Sequence, residues 1–183
     1  RSPNVSAPFG MVCTGPVTYR GQEQIKTDLD NLKAALQGVV AEEVFVPSSS
    51  ATNVEAQRRN DYYPSDEAYL HAIADAMREE YHAILDAGFL LQIDDPRGVT
   101  QYDMSDPAPS IEEFRRAAAL RIEAVNHALG DIPPERVRYH LCWGSWHGPH
   151  TTDFPLKDII DLVLQVRAGA YCVESANPRH EHE

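Results

Sequence analysis

Apolar residues recur at spacings of three and four in four stretches of the chain, and each stretch ends just before a glycine. This spacing is typical of an amphipathic helix, and a glycine just past the last turn is a common helix end. Ser110 and Glu113 have capping-box spacing at the start of the third predicted helix. The four glycines are Gly38, Gly88, Gly130 and Gly169.

Short runs rich in β-branched and aromatic residues alternate with these helices, and such runs predict strands. A fifth strand candidate, residues 11–19, precedes the first helix. Strands that alternate with helices predict a parallel sheet covered by helices. Residues 48–65 and 94–110 are long polar connections between a strand and its helix, where function usually resides in this architecture. The other four strand-like runs are residues 44–46, 89–93, 137–141 and 171–173.

The order of these elements fits a (β/α)8 TIM barrel, although such barrels typically need ~250 residues. With 183 residues, the sequence predicts an α/β fold that is an incomplete TIM barrel of five β-α units. We expect residues 1–183 to form one partial catalytic domain that lacks the N-terminal strands and the last strand of the barrel. Neither glycine-rich phosphate-binding pattern occurs, which argues against a dinucleotide-binding fold.

Composition narrows the functional classes further. The formal net charge is −12, and non-specific nucleic-acid binding needs the opposite sign. No apolar run approaches the ~20 residues that span a membrane, so we expect no membrane partner. The three cysteines are too few and too scattered for a disulfide framework. We therefore expect a cytoplasmic protein in which a cysteine close to other ligand-type residues is a metal ligand or a nucleophile.

Candidate chemistry gathers at the ends of the predicted strands. His140 and Cys142 lie two residues apart on one strand, so they share a face, and Glu174 ends the next strand. Imidazole, thiolate and carboxylate together suit Zn²⁺. The alternative is a core cysteine beside a hydrogen-bonded histidine.

Asp94 follows a strongly apolar strand and could bind an ammonium group or guide a proton. Its alternative role is an Asx-type turn before Pro96. His147 and His150 lie in a glycine- and aromatic-rich segment that is either a substrate loop or a simple connection.

Four further residues have weaker patterns. Tyr62 and Tyr63 lie on a long connection and are substrate-site candidates only. Cys172 shares the face of Glu174 but has apolar neighbours along the chain, which favours a core position. Cys13 lies early in a strand, which favours packing.

Three segments, taken together, resemble a known family. Residues 92–96 (Gln-Ile-Asp-Asp-Pro) resemble the Q-[IV]-D-E-P strand end of the cobalamin-independent methionine synthases. Residues 140–142 match that family's H-x-C zinc pair, and residues 173–175 resemble its I-E-[ST] segment. Residues 142–153 and 175–183 are more similar to the shorter, single-barrel methionine-synthase-like branch, which includes the epoxyalkane:coenzyme M transferases.

This resemblance implies a zinc enzyme that moves a methyl or alkyl group to a zinc-activated thiol. Residue by residue, His140, Cys142 and Glu174 would bind zinc, and Asp94 would match the aspartate that holds the amino group of homocysteine. The implied partners are a small-molecule thiol and a methyl or alkyl donor such as a folate. Position 95 is Asp where the family has Glu, and the family's other zinc cysteine comes from a later strand.

Two alternatives stay open from the residues alone. One is a zinc hydrolase or lyase on the same fold, in which the metal activates water. The other is a catalytically incomplete barrel that acts as a structural partner. An incomplete barrel exposes strand edges and apolar faces, so we expect an oligomer or a complementing chain.

Overall fold

The computed structural model describes residues 10–56, 58–105, 107–144 and 152–174. Within these residues parallel strands alternate with helices, which confirms the predicted α/β class. The strands are β1 (Met11–Cys13), β2 (Phe45–Ser49), β3 (Arg58–Asn60), β4 (Leu90–Asp94), β5 (Val137–Leu141) and β6 (Ala170–Val173). The helices are α1 (Gln22–Ala35), α2 (Ala51–Glu55), α3 (Asp66–Asp86), α4 (Arg97–Met104), α5 (Ile111–Leu129) and α6 (Ile160–Val163), and short 3-10 turns occupy Pro134–Arg136 and Leu156–Asp158.

The strands form two separate parallel sheets. The larger has four strands in the order β2-β4-β5-β6, and the smaller pairs β1 with β3. Neither sheet closes on itself within the described residues, so this part of the chain shows no complete TIM barrel. The predicted first strand, residues 11–19, was too long, because only Met11–Cys13 pairs and its partner is β3 rather than the larger sheet.

The core lies on one face of the larger sheet. Leu91 and Ile93 on β4 are buried, as are Val137, Tyr139 and Leu141 on β5. The alternate residues of these strands are only partly buried, and those of the outer strands are largely exposed. The helices therefore cover a single face. We call the other the open face; it carries Phe45, Pro47, Ser49, Leu90, Gln92, Asp94, Arg138, His140, Ala170 and Cys172.

Three of the four predicted helices end as the glycines indicated. Gly38, Gly88 and Gly130 follow α1, α3 and α5, and all three have positive φ angles, of 78°, 96° and 54°. Such angles favour glycine, which has no Cβ to clash with the backbone. The capping box at the start of α5 is also formed by Ser110 and Glu113.

The fourth helix prediction was wrong in length. The structure forms only the four residues of α6, which ends at Val163, well before Gly169. Gly169 instead meets the turn before β5, where an added Cβ would lie 2.8 Å from the Pro134 carbonyl oxygen. Its backbone N–H donates to the Val137 carbonyl oxygen at 3.0 Å. This glycine therefore permits a close approach between backbones rather than ending a helix. None of the helices in the described ranges is long and apolar enough to cross a membrane.

Candidate functional site

The register of the larger sheet places four side chains in one row across the open face. Ser49 pairs with Asp94, Asp94 with His140, and His140 with Cys172. Paired residues on neighbouring strands point to the same side, and the strands are ~4.8 Å apart. The row lies at or next to the carboxyl ends of β2, β4, β5 and β6. Parallel α/β proteins bind ligands at this end of the sheet.

His140 and Asp94 form the central contact of this row. The His140 Nδ1 atom lies 3.0 Å from Oδ1 of Asp94, and the two side chains are partly buried, with 28% and 37% of their surface exposed. The Gln92 side-chain amide donates to the same Asp94 oxygen at 2.9 Å. When Nδ1–H of a neutral His140 donates to Asp94, the lone pair lies on Nε2. In that tautomer Nε2 can accept a hydrogen bond or bind a metal ion.

Cys142 comes directly after β5, and charged groups near the strand ends influence the pKa of its thiol. Burial raises the pKa of the Cys142 thiol above its usual range, and a hydrogen bond from the Gly144 backbone acts in the opposite direction. The negative charges of Glu174, Asp94 and Cys172 also raise this pKa. None of the three cysteines forms a disulfide.

The residue types fit a zinc ion, although their side chains do not yet converge. Across the described ranges, no group of three or more His, Cys, Asp or Glu side chains is arranged so that it could hold a metal ion. Binding would therefore require the side chains of His140, Cys142 and Glu174 to turn toward a common centre. The chemistry of the donors is suitable, since zinc accepts nitrogen, sulfur and oxygen ligands. The carboxylate behind His140 matches the common carboxylate–histidine–zinc arrangement.

A cavity lined by five polar residues and two prolines adjoins the His140–Asp94 contact. Its volume is about 350 Å³, and it opens at the ends of β2, β4 and β5. This size suits a small polar molecule. Asp94 can offer such a molecule a carboxylate oxygen inside the cavity. The lining residues are Pro47, Ser48, Ser49, Asn53, Asp94, Pro96 and His140.

Asp95 is buried on the opposite side of the β4 end, with 1% of its surface exposed. Its Oδ1 accepts from the Ser50 hydroxyl at 2.9 Å and from the Gly98 backbone N–H at 3.1 Å. Its Oδ2 accepts from the Tyr139 hydroxyl at 2.8 Å. Burial raises the pKa of Asp95, and these three donors lower it in part. Asp95 is thus a buried carboxyl with three hydrogen-bond donors.

The sequence left open an Asx-type turn at Asp94, before Pro96. In the structure Asp95 forms that turn instead. The Asp95 side chain accepts the Gly98 N–H, while its backbone N–H donates to the His140 carbonyl oxygen at 2.9 Å. Asp94 is left on the open face beside the cavity. The Asp94 backbone carbonyl accepts from Ser50 N at 3.0 Å and from Asn53 Nδ2 at 2.8 Å. Two neighbouring acidic residues therefore have different tasks, because they alternate between the two faces.

The sequence prediction missed Asn53, which lines the cavity and fixes the Asp94 backbone. Its only sequence signal is its place three residues after Ser50, whose hydroxyl accepts from the Asn53 N–H at 3.1 Å. The prediction that Cys172 lies in the core was wrong, because Cys172 is exposed on the open face. Cys13 is partly buried and packs against the core, as predicted.

The two tyrosine candidates lie away from the strand ends. The Tyr63 hydroxyl accepts from the Val17 backbone N–H at 2.8 Å, and Tyr62 stacks edge-on against Tyr63 with ring centroids 5.0 Å apart. Neither lines the cavity beside Asp94. His147 and His150, the candidates for a substrate loop, lie outside the described residues.

Comparison with known proteins adds no relative to this picture. A scan against models of protein families found no match for the chain, and a search of curated proteins found no match either.

Proposed function

We propose that the protein is a zinc-dependent transferase that moves a methyl or alkyl group to a zinc-activated thiol, in the manner of the methionine-synthase-like enzymes. The observation that carries this proposal is the 3.0 Å contact between His140, two residues before Cys142, and Asp94, both of which line one cavity. A nitrogen ligand with its second nitrogen held by a carboxylate, next to a thiol, favours a metal site. The H-x-C pair favours sulfur chemistry over a hydrolase or lyase that activates water.

The fold supports a finer proposal. We infer that the sheet β2-β4-β5-β6 is a portion of a (β/α)8 barrel whose interior face is the open face. Parallel sheets usually have both faces covered, whereas the described helices cover only one. Further strands of the same chain or a complementing chain would complete the barrel. A catalytically incomplete barrel that assembles with a partner is the competing function that this exposed face favours.

Within the proposed site, each residue has a separate task. Bound zinc would lower the pKa of a coordinated substrate thiol, so that a thiolate is present near neutral pH. His140, Cys142 and Glu174 would hold the ion, and Asp94 would keep the His140 ring in place through its contact with Nδ1. The remaining Asp94 oxygen is available to accept hydrogen bonds from a substrate ammonium group in the cavity. The residues that line the cavity would align the substrate thiol with the electrophilic carbon of the methyl or alkyl donor. Such alignment lowers the activation barrier of the transfer by several kcal/mol or more.

Metal analysis of the protein purified under reducing conditions tests the proposal first. We expect one zinc per chain, lost in Cys142→Ser and retained in the matched variant Cys13→Ser, which lies outside the site. A wild-type protein that takes up no zinc would exclude this function. Methyl and alkyl transfer is then followed by mass spectrometry with homocysteine and with coenzyme M as acceptors. Hydrolysis of the donor without a thioether product would favour the hydrolase.

Asp94→Asn separates substrate binding from metal binding. The amide keeps an acceptor for His140 but removes the negative charge that would pair with an ammonium group. We expect a roughly 10- to 100-fold loss of activity with homocysteine, since hydrogen bonds to charged groups are worth about 1.5–3 kcal/mol. Activity with coenzyme M, which has no amino group, should fall much less. An equal loss with both thiols would contradict the ammonium-binding role.

A further inference from the structure

Arg138 is the only arginine or lysine among the described residues of the open face. It lies two residues before His140 on β5, in register with Gln92 on β4 and Ala170 on β6. Its guanidinium carbon lies 4.0 Å from the centre of the Phe45 ring on β2. Because β4 lies between β5 and β2, the Arg138 side chain crosses a whole strand to make this contact. No described residue forms a hydrogen bond or an ion pair with this side chain.

The unpaired charge of Arg138 limits what can cover the open face. Any element packed on this face would remove the guanidinium from water, and a buried charge is costly unless it is paired. The only carboxylate among the described open-face residues is Asp94, which contacts Gln92 and His140 instead. The covering element therefore has to supply an anion. A carboxylate fits best, because it accepts two parallel hydrogen bonds from one guanidinium group.

The β2 edge of the larger sheet is poorly suited to a further strand. The Val44 carbonyl accepts from the Leu90 N–H at 2.9 Å, so alternate residues from Val44 onward bond to β4. Pro47 and Ser49 therefore face the outer edge. Pro47 has no N–H to donate there, and the Ser49 carbonyl already accepts from the Tyr81 hydroxyl at 2.8 Å.

The β6 edge, in contrast, is open within the described residues. The Gly169 N–H donates to the Val137 carbonyl at 3.0 Å, so alternate residues from Gly169 onward bond to β5. Ala170 and Cys172 therefore direct their backbone N–H and C=O groups outward, as a template for another strand. Ala170 adds only a methyl group beside Arg138. The guanidinium can thus pass over β6 to a further strand, as it now passes over β4 to Phe45.

We propose that the outer edge of β6 binds a parallel β-strand of a complementing polypeptide chain, and that this strand carries an aspartate or glutamate that pairs with Arg138. The inference rests on the incomplete barrel proposed above, and it names the residue that recognises the complement. The opposite side of β6 carries the half-buried Tyr171 and Val173. The alternate residues of the incoming strand are therefore apolar.

Peptide selection on the full chain tests the charge preference. A phage-displayed library of random peptides of about ten residues, the length of a long strand, is selected on the immobilised protein. We expect the selected peptides to alternate apolar and other residues and to carry Asp or Glu at one recurring position. Arg138→Glu should select Lys or Arg instead. The acidic preference should disappear in Arg138→Gln and persist in the matched control Arg116→Gln, since Arg116 is exposed on α5.

A second variant supplies the missing carboxylate within the chain. Ala170→Glu places it opposite Arg138 in the register, so the acidic preference should be lost there as well. Fluorescence anisotropy then gives the magnitude. A selected acidic peptide should bind the wild-type protein about tenfold or more tightly than its amide counterpart, and the two should bind Arg138→Gln equally. Far-UV circular dichroism verifies that each variant is folded.

The outcomes separate this inference from the proposed function. The inference is overturned if no peptide is selected, if the selected peptides have no excess of acidic residues, or if the excess persists in Arg138→Gln. Sedimentation of the purified chain tests a second copy as the occupant. A stable dimer that Arg138→Glu dissociates would overturn the complementing chain. Zinc uptake by the same protein reports on the transferase alone, so either proposal can fail while the other stands.

Discussion

The hydroxyl of Tyr139 donates a hydrogen bond to the buried carboxyl of Asp95. Removing this hydroxyl tests directly how much the hydrogen bond stabilises the fold. The hydroxyl donates to Asp95 Oδ2 at 2.8 Å, while the other carboxyl oxygen has its own two donors. Tyr139 is 2% exposed, so no water would replace the lost donor. Tyr139→Phe would therefore leave Oδ2 of Asp95 buried without this donor.

The expected loss depends on the charge of Asp95. Hydrogen bonds to charged groups contribute about 1.5–3 kcal/mol, and neutral ones about 0.5–1.5 kcal/mol. We therefore expect Tyr139→Phe to lower the free energy of unfolding by about 2–3 kcal/mol where Asp95 is ionised and by about 1 kcal/mol where it is protonated.

The direction of the pH dependence follows from the raised pKa of Asp95. Between the ordinary and the raised pKa, the folded protein binds more protons than the unfolded chain. The stability that protonated Asp95 contributes is therefore complete below the ordinary carboxyl pKa and is lost as pH rises through the raised value. Because Tyr139→Phe removes a donor to the charged form, it raises this pKa further and should extend that loss to higher pH.

Urea unfolding followed by circular dichroism, at about pH 5 and about pH 8, measures both quantities. Tyr171→Phe is the matched control, because Tyr171 pairs with Tyr139 in the sheet and its hydroxyl donates at 2.6 Å to the neutral Val166 carbonyl. The control should lose about 1 kcal/mol or less, equally at both pH values. A loss for Tyr139→Phe below about 0.5 kcal/mol at both pH values, or a loss that is smaller at the higher pH, would refute the reasoning.

Three further predictions follow from individual contacts. Ser110→Ala should cost about 1 kcal/mol in urea unfolding, because it removes the α5 capping box, and an unchanged midpoint would contradict that cap. An ordinary surface substitution costs about 0.5 kcal/mol, and Gly169→Ala should destabilise the protein by several times that amount, because the new Cβ would lie 2.8 Å from the Pro134 oxygen. A thermal midpoint equal to that of the wild type would argue against this contact. Zinc affinity should rise with pH from about 6 to 8, because burial raises the pKa of Cys142 and its proton must leave before the sulfur binds. A zinc affinity that does not change with pH in competition titrations would exclude Cys142 as a ligand.

Local sequence determined three of the helices and the strand end that carries Asp94. The apolar spacing of three and four predicted α1, α3 and α5, and positive-φ glycines follow all three. Such features depend on neighbours a few residues apart, so a sequence can reveal them. The strand alternation also predicts that His140 and Cys142 share a face. Asp94 was identified as a strand-end residue because it follows an apolar run and comes shortly before Pro96.

Tertiary structure alone decided which face of each strand is covered and which strands pair. A period of two separates two faces but does not say which of them meets the helices. That choice turned Cys172 outward, although its apolar neighbours had favoured a core position, and it divided Asp94 from Asp95. The pairing of β1 with β3 and the contact of Gly169 with Pro134 join residues far apart in the chain. Such contacts depend on the packing of the whole sheet, so no local pattern determines them.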